Sequence, residues 1–396
     1  QASRPSPCFR TRPSLPPFAC MHPRSRHRTY LDYRDLAAKQ PTFAPYVYTN
    51  AYGGASIDYS DPDAVRELTR CLLLQLYGLS YWSIPDGFLV PPVPQRADYI
   101  HGIADLLLEG GSVASSGGPN GAENGHAVES GFCGLDIGTG ASCIYCLLGV
   151  HEYGWRFIGS DIDDEALRSA RKIVTKNSLG ERIELRRQSD AGALLAGVLL
   201  PGEQVAFCVC NPPFHESIEH ARRAAGAKWR RLGYGDTKGA AKNYQGTASE
   251  LSCEGGEVGF VGRLAMESAD ARFSRACVWF SAMLSRESSV APVRAKLKEL
   301  GAKRRGFQLR QGNVVKWVVA WTFFSRTERT EILARMAESR RQAPATCGEQ
   351  SVPAQLLEWR PDGGKRRKRV VADEMREDEG RREGNIENDD PKTMTQ

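Results

Sequence analysis

The stretch Leu135-Asp136-Ile137-Gly138-Thr139-Gly140 runs from an apolar strand pattern into a Gly-x-Gly turn that opens a helix. Such a turn needs glycine because the backbone bends sharply and comes close to a ligand. The next strand pattern ends in Ile158-Gly159-Ser160-Asp161. Asp161 thus follows at the distance of about 20 residues where an acid binds the ribose of a nucleotide-like cofactor. Together the two stretches predict a nucleotide-binding α/β fold, although a Gly-x-Gly alone is usually a structural turn.

Strand and helix patterns alternate outward from this turn. Helical patterns cover 164–177 and 258–269, and the alternating run at 314–324 supplies late strands. Short turns between alternating strands and helices predict a parallel, doubly wound sheet. The earlier strands are predicted at 133–137, 155–159, 182–186 and 205–210.

Composition divides the 396 residues into five parts. Residues 1–20 are rich in Arg, Pro and Ser without an acid, as expected of a disordered leader or an added extension. Residues 110–130 form a Gly/Ser/Asn-rich insertion, and 327–396 form a charged tail that we expect to be partly helical and largely disordered. A mostly helical N-terminal segment at 21–109 and an α/β core at 131–326 lie between them.

Charge and cysteine content exclude several protein classes. The 11 cysteines are an odd number scattered through apolar runs, which argues against a disulfide framework. The Cys143/Cys146 and Cys208/Cys210 pairs lack a partner pair at zinc-finger spacing, so we expect core cysteines and no metal. No stretch approaches the roughly 20 apolar residues of a membrane span. The net charge is only +6, but local basic patches suit phosphate binding.

The glycine turn and Asp161 suit NAD(H) and S-adenosylmethionine almost equally. The dinucleotide fingerprint expects a third glycine where Cys143 stands, and no pyrophosphate-binding pattern follows. We therefore predict S-adenosylmethionine as the cofactor. The contacts predicted from this motif are Asp136, Gly138, Thr139, Gly140 and Asp161.

The strand pattern at 205–210 runs directly into Asn211-Pro212-Pro213-Phe214. The amine of adenine is a poor nucleophile because its lone pair is delocalised into the ring. The Asn211 side-chain oxygen and the Pro212 carbonyl can accept hydrogen bonds from the two amine hydrogens and direct the lone pair. Pro212 and Pro213 fix the turn, and Phe214 can stack on a flipped base. These four residues are the predicted catalytic loop, whereas Asn-Pro in an ordinary turn is the alternative.

Basic residues cluster near both ends of the core. A group around Trp229 follows the catalytic loop, which suits nucleic acid as well as a solvated helix face. The run at 365–369 reads as a nuclear localisation signal or a phosphate-binding tail. The predicted RNA contacts are Arg24, Arg26, Arg28, Arg222, Arg223, Lys228, Arg230, Arg231 and Lys316.

The chain resembles one family over about residues 21–324, apart from the insertion. This family of RNA adenine-N6 methyltransferases comprises methyltransferase-like protein 16 of eukaryotes and bacterial ribosomal large-subunit methyltransferase F. The shared motifs are His22-Pro23-Arg24, 91–101, 136–145, 211–214, Cys253-Glu254-Gly255-Gly256-Glu257 and Gln311-Gly312-Asn313.

The resemblance implies a class I (Rossmann-like) S-adenosylmethionine-dependent methyltransferase whose N-terminal segment helps to grip RNA. It also implies a cofactor contact in the loop at 188–192. The cofactor contacts implied by motif match are Arg96, Gly138, Ser142, Asp161 and Asn211.

Four functions remain open at this point. The insertion, the charged tail and the basic run favour a monomeric nuclear enzyme that methylates adenosine in U6 small nuclear RNA. The alternative is a large-subunit ribosomal RNA adenine-N6 methyltransferase in the cytoplasm or an organelle. Asn-Pro-Pro-aromatic loops also serve planar amides, so a protein glutamine N5-methyltransferase is a lesser alternative. A non-catalytic RNA-binding protein is the last, although the intact motifs argue against it.

Overall fold

The computed structural model describes residues 21–29, 31–108, 131–217, 246–312 and 314–341. The predictions for 1–20, 110–130, the basic group at 222–231 and the run at 365–369 lie outside the described residues. The described strands are β1 (Val47–Thr49), β2 (Ala55–Ile57), β3 (Cys133–Ile137), β4 (Arg156–Asp161), β5 (Ile183–Arg187), β6 (Val205–Cys210), β7 (Cys277–Leu284), β8 (Lys303–Gln311) and β9 (Val314–Thr322). The helices are α1 (Tyr33–Lys39), α2 (Pro62–Leu76), α3 (Val93–Leu108), α4 (Ile144–Tyr153), α5 (Asp164–Lys176), α6 (Ala248–Leu251), α7 (Gly256–Ala269), α8 (Val290–Glu299) and α9 (Arg326–Arg341).

A seven-stranded sheet carries the predicted motifs, in the order β5-β4-β3-β6-β7-β9-β8. Strands β5, β4, β3, β6 and β7 pair in parallel, and β9 pairs antiparallel to both β7 and β8. The chain order of the strands reverses between β3 and β6, so a crevice opens at the carboxyl ends of these strands, where α/β proteins bind ligands. The predicted doubly wound parallel sheet is therefore confirmed, and the glycine turn and the Asn211 loop end adjacent strands.

Two apolar clusters cover the two faces of the sheet. On one face, residues of α2, α3, α4, α5 and α9 pack against β6 side chains such as Phe207 and Val209. On the other, α7, α8 and residues 194–199 pack against Leu135 and Cys208. Successive side chains of a strand point to opposite faces, so a strand buried on both sides is apolar throughout. This explains why all six residues of β6 are buried.

Strands β7 and β8 are absent from the sequence prediction. Every residue of β7 is buried, and a short apolar run does not distinguish a buried strand from a helix. Strand β8 is hard to predict for the opposite reason: Leu309 is its only buried residue, so the strand lacks an apolar pattern. Its Lys and Arg side chains suit an edge strand, where charge opposes pairing with another molecule.

The N-terminal segment is mostly helical, as predicted, but includes the antiparallel pair β1–β2. A strand of three residues is too short to show a detectable alternation of apolar and polar residues. The predicted helix start is confirmed, since the Asp61 carboxylate accepts from the Asp63 amide at 2.9 Å and Pro62 is the first residue of α2.

The folded part of the chain extends beyond the boundary predicted at residue 326. Helix α9 covers the first residues of the predicted tail, and Ile332, Leu333 and Ala337 pack into the core. Their spacing puts them on one face of the helix, a pattern that the surrounding charged residues obscured. None of the helices in the described ranges combines the length and apolar character needed to cross a bilayer.

Candidate active site

A cavity of about 170 Å³ lies at the carboxyl ends of β3, β4 and β6. The loop before α3 forms one of its walls, and the loop after β5 contributes Gln188, Asp190 and Ala191. The predicted cofactor residues on its lining are Arg96, Gly138, Thr139, Gly140, Ser142, Asp161 and Asn211. The structure thus brings together residues that are up to 115 positions apart in the chain, from Arg96 to Asn211 (211 − 96).

The glycine turn and the end of β4 hold each other in place. The amides of Gly138 and Thr139 both donate to the Ser160 carbonyl at 2.9 Å. Gly138 and Gly140 have φ values of 73° and 64°, in the left-handed region that favours glycine. The Gly140 amide donates to Asp161 Oδ2 at 2.8 Å, and the Asp163 amide donates to Oδ1 at 3.0 Å. The Asp161 carboxylate is therefore fixed at the cavity wall, and its burial raises its pKa above the ordinary value.

Asp136 occupies a different position from the other predicted cofactor residues. Its side chain is fully buried beneath the turn and does not line the cavity. Cys146 Sγ donates to Oδ2 at 3.6 Å, whereas Oδ1 has no hydrogen-bond partner within the described ranges. Burial raises the pKa of Asp136 to about 7. Direct contact between Asp136 and the cofactor stays a prediction.

Arg96 projects from the first turn of α3 into the cavity and is only 4% exposed. Its guanidinium donates to the Met283 sulfur at 3.2 Å and lies 5.6 Å from the centroid of the Tyr145 ring. No carboxylate of the described residues lies within ion-pair distance of it. A buried cation is costly without a counter-ion, so Arg96 is suited to receive an anionic ligand.

Asn211 follows the last residue of β6. Its side-chain oxygen is buried and has no hydrogen-bond partner among the described residues. The strand end is held from below: the Cys210 amide donates to the Tyr99 hydroxyl at 3.5 Å, and the Ser281 hydroxyl donates to the Cys208 carbonyl at 2.6 Å. The Asn211 oxygen is thus an acceptor fixed at the cavity without an internal donor.

The rest of the predicted catalytic loop is anchored on both sides. Pro213 lines the cavity, and Pro212 is buried. The Lys316 ammonium lies 5.1 Å from the centroid of the Phe214 ring, a cation–π arrangement. The His215 amide donates to the Leu251 carbonyl at 3.0 Å, which ties the loop to α6. Lys316, predicted as an RNA contact, therefore lies beside the catalytic loop.

Glu250 is a wall residue that sequence reasoning missed. Its Oε2 accepts from the amides of Leu89 and Thr247 at 3.1 and 2.9 Å. A methyl group on Gly140 would lie 3.5 Å from Oε1. Burial raises the pKa of Glu250. This carboxylate joins the loop before α3, the start of α6 and the glycine turn. No sequence motif identifies a single acidic residue at this position as part of the site, so Glu250 could not be predicted.

Two of the predicted RNA contacts are engaged within the chain. Arg24 donates to Asp105 Oδ1 at 2.6 Å and to the Tyr153 hydroxyl at 3.0 Å. Arg26 forms a bidentate pair with Glu152, at 2.8 and 3.4 Å. These bonds fasten residues 24–26 to α3 and α4, a role that composition does not indicate. Arg28 is exposed and donates to the Pro23 carbonyl. RNA contact by the three arginines stays a prediction.

The paired cysteines lie in the core. Cys143, Cys146, Cys208 and Cys210 are all fully buried. Cys143 has a φ of 53°, so it adopts the left-handed conformation at the position where the dinucleotide fingerprint has its third glycine. Across the described parts of the chain, no three His, Cys, Asp or Glu side chains gather as a metal ion would require.

The chain is similar to known RNA methyltransferases in sequence. A family model described as RNA methyltransferase matches residues 18–325. Ribosomal RNA large subunit methyltransferase F of Stutzerimonas stutzeri is 46% identical over 318 residues, which cover 79% of this chain and 93% of that protein. The protein of the same name from Pseudomonas savastanoi pv. phaseolicola is 42% identical over 315 residues, which cover 79% and 92%.

Solved structures show the same relationship. The catalytic domain of human METTL16 in complex with MAT2A 3′UTR hairpin 1 is 33% identical with a TM-score of 0.64, covering 77% of this chain and 96% of that one. The N-terminal domain of human METTL16 in complex with SAH is 32% identical with a TM-score of 0.60, covering 77% and 99%. The predicted class I methyltransferase fold and the predicted cofactor are confirmed.

The cavity residues fit S-adenosylmethionine chemically. The molecule carries a carboxylate, an ammonium group and ribose hydroxyls. The Arg96 guanidinium, which has no carboxylate partner among the described residues, suits the carboxylate, and the fixed Asp161 carboxylate suits the hydroxyls. The Asn211 oxygen remains as an acceptor for a substrate amine. By sequence, fold and site, the chain belongs to the family of S-adenosylmethionine-dependent RNA methyltransferases that includes ribosomal RNA large subunit methyltransferase F and METTL16.

Proposed function

We propose that this RNA methyltransferase transfers a methyl group to N6 of an adenosine in large-subunit ribosomal RNA. The observation that carries the choice of atom is the Asn211 side-chain oxygen, buried at the cavity without a hydrogen-bond partner in the described part of the chain. A buried acceptor without a donor costs free energy. A substrate that brings an N–H group recovers that free energy, and an exocyclic amine is such a group.

The loop acts by orientation. Bound S-adenosylmethionine supplies a methyl group on a positively charged sulfur. The Asn211 oxygen and the Pro212 carbonyl each accept one amine hydrogen, which draws the nitrogen toward tetrahedral geometry and directs its lone pair. Phe214 stacks on the flipped base with one face of its ring, while Lys316 holds the ring from nearby. The methylated nitrogen is acidic and loses its proton to water, so no strong base is required.

The choice of ribosomal RNA is supported by relatedness. The bacterial relatives named for the ribosomal large subunit are 42% and 46% identical to this chain, against 33% for the human domain bound to a hairpin. This support reverses the preference for U6 small nuclear RNA expressed from composition. That preference, and with it a nuclear location, depends on the basic run at 365–369, which lies outside the described residues.

Labelled S-adenosylmethionine and the purified full chain test the proposal against three substrates. These are a large-subunit ribosomal RNA helix, a U6-like hairpin RNA and a release-factor protein, each followed by digestion and mass spectrometry. N6-methyladenosine in the ribosomal helix alone is the expected result. The same product in the U6-like hairpin alone would transfer the function to the U6 alternative. Label only in the protein, or RNA binding without label, would contradict adenine methylation.

A further inference from the structure

Tyr145 is a buried tyrosine on the lining of the cofactor cavity. It is the second residue of α4, is 3% exposed and lines the cavity. Its ring packs edge-on against Tyr99, with centroids 5.3 Å apart. Its hydroxyl proton has no acceptor in the described ranges, because the group that approaches the hydroxyl oxygen is the Arg96 guanidinium, which has only donors. Buried tyrosine hydroxyls usually find a partner, so this exception requires an explanation.

The nearest charged group does not satisfy the hydroxyl proton. The Arg96 guanidinium lies 5.6 Å from the centroid of the Tyr145 ring. A guanidinium has only donors, and a tyrosine hydroxyl has one proton to donate. One N–H group donates to the Met283 sulfur, and the guanidinium approaches the Tyr145 oxygen. The hydroxyl proton still lacks an acceptor in the described ranges, and the buried guanidinium lacks a carboxylate. Burial raises the pKa of Tyr145 far above its ordinary value, so the hydroxyl keeps its proton.

An anion with more than one acceptor oxygen can accept from both groups and also neutralises the buried guanidinium charge. Arg96 and Tyr145 line the same cavity as Asp161 and Asn211. The carboxylate of the methionine moiety is the one such group in S-adenosylmethionine. We propose that Tyr145 is a cofactor-positioning residue whose hydroxyl, together with Arg96, receives this carboxylate and makes the site selective for it. The inference rests on the cofactor and is independent of the RNA that is methylated.

Cofactor binding without RNA tests this role. Titration calorimetry on the full chain compares S-adenosylhomocysteine with its decarboxylated analogue, for the wild type and for Tyr145→Phe. The lost hydrogen bond to a charged group should weaken S-adenosylhomocysteine binding about tenfold. Binding of the analogue should change by less than about twofold, because it lacks the group that Tyr145 would contact.

Thermal unfolding of the ligand-free protein separates this role from a structural one. Tyr145→Phe keeps the ring and removes a hydroxyl whose proton has no acceptor in the described part of the chain, so the melting temperature should not fall. Tyr77→Phe is the matched control. That buried hydroxyl is bonded to His27 Nε2 at 2.9 Å, so its loss should lower the melting temperature and leave both ligand affinities unchanged.

Three results would overturn the inference. Equal weakening of both ligands by Tyr145→Phe would mean that the hydroxyl acts on the cavity as a whole. Unchanged affinity for both would mean that it makes no contact. A Tyr145→Phe protein that is unfolded would show that the hydroxyl serves the fold. A change in methylated RNA with unchanged cofactor discrimination would concern the proposed RNA function alone.

Discussion

At the scale of single residues, the site contains buried polar groups whose bonding capacity is not filled by the described residues. The Asn211 oxygen and the Arg96 guanidinium are both buried at one cavity. Desolvating such groups costs free energy in the folded protein. We expect bound ligands to offset this cost, so that the two groups would favour binding and catalysis at the expense of stability.

Asn211→Ala should therefore lose activity and keep stability. We expect kcat to fall about 100-fold or more, as when one oriented polar group of an active site is removed. The melting temperature should be unchanged or higher. Asn177→Ala is the opposite control, since Asn177 donates to the Tyr81 and Ile173 carbonyls at 2.7 and 2.8 Å and lies away from the cavity. That variant should melt at a lower temperature with unchanged kcat. Full turnover by Asn211→Ala would disprove the proposed mechanism.

Asp136 makes the stability of the ligand-free protein depend on pH. Burial raises its pKa from 3.8 to about 7 in the folded state. Between these values the unfolded chain loses the proton while the folded chain keeps it. The free energy of unfolding should then fall by up to about 1.4 kcal/mol per pH unit and level off above pH 7. Asp136→Asn should lack this contribution.

Denaturant unfolding from pH 4 to 8 measures the effect as the difference between wild type and Asp136→Asn. The wild type should lose stability relative to the variant as the pH rises toward 7. Glu181→Gln, which changes an exposed carboxyl group, serves as the control and should follow the wild type. Parallel curves for wild type and Asp136→Asn would contradict the raised pKa.

At the scale of elements, the position of the predicted catalytic loop depends on the point at which β6 stops pairing with β7. The described pairing of these strands ends at Phe207 and Trp279. Beyond this pair, side-chain hydroxyls bond the backbone of β6. The Tyr99 hydroxyl accepts from the Cys210 amide, and the Ser281 hydroxyl donates to the Cys208 carbonyl. The two hydroxyls lie 2.8 Å apart. Side chains thus replace backbone hydrogen bonds here, which frees the strand end to turn into the loop while the Cys208 carbonyl and the Cys210 amide stay paired.

Ser281→Ala should affect both stability and turnover. It leaves the Cys208 carbonyl and the Tyr99 hydroxyl short of a partner, which should cost about 2 kcal/mol of unfolding free energy. Because Asn211 follows directly, we expect kcat to fall more than KM rises. Ser268→Ala is the matched control, since Ser268 bonds the Ala265 carbonyl and accepts from Trp321 Nε1 far from the loop. It should lose similar stability with normal kcat. Equal kinetics for the two variants would refute the positioning role.

At the scale of the whole molecule, the N-terminal segment is fastened to the methyltransferase core by charged contacts. The Glu152 side chain that pairs with Arg26 is only 9% exposed. Nearby, His27 bonds Tyr77 in the interior at 2.9 Å. The first described residues, around Arg24 and Arg26, therefore support α3 and α4, and through α3 they help to place Arg96.

Arg26→Ala and Arg28→Ala should separate fastening from RNA binding. Arg26→Ala leaves the Glu152 carboxylate unpaired and should cost about 2 kcal/mol, between the values for exposed and for buried pairs. Arg28→Ala should leave stability unchanged and weaken RNA binding, with a shallower dependence on salt. Urea unfolding and RNA titration at several salt concentrations measure both effects. Unchanged RNA affinity in Arg28→Ala would remove that residue from the predicted RNA contacts.

The predicted cofactor site of this protein could be identified from local sequence patterns. The glycine turn, Asp161 and the Asn211 loop were found because each is a local event: a backbone conformation or a strand end that neighbouring residues specify. The four parallel strands of the first half were predicted for the same reason, with β4 and β5 beginning one residue later than expected. A sequence pattern predicts a structural feature when neighbouring residues alone specify that feature.

Contacts between segments that are distant in the sequence, in contrast, depend on the fold. Tyr145 meets Arg96, Glu250 meets Leu89, and Ser281 meets Tyr99 because the sheet brings separate segments to one edge. The fastening role of Arg24 and Arg26 has the same origin. The nature of an ion pair or an unpaired group depends on what the fold places beside it, and burial then sets its energy. No property of the individual residues contains that information.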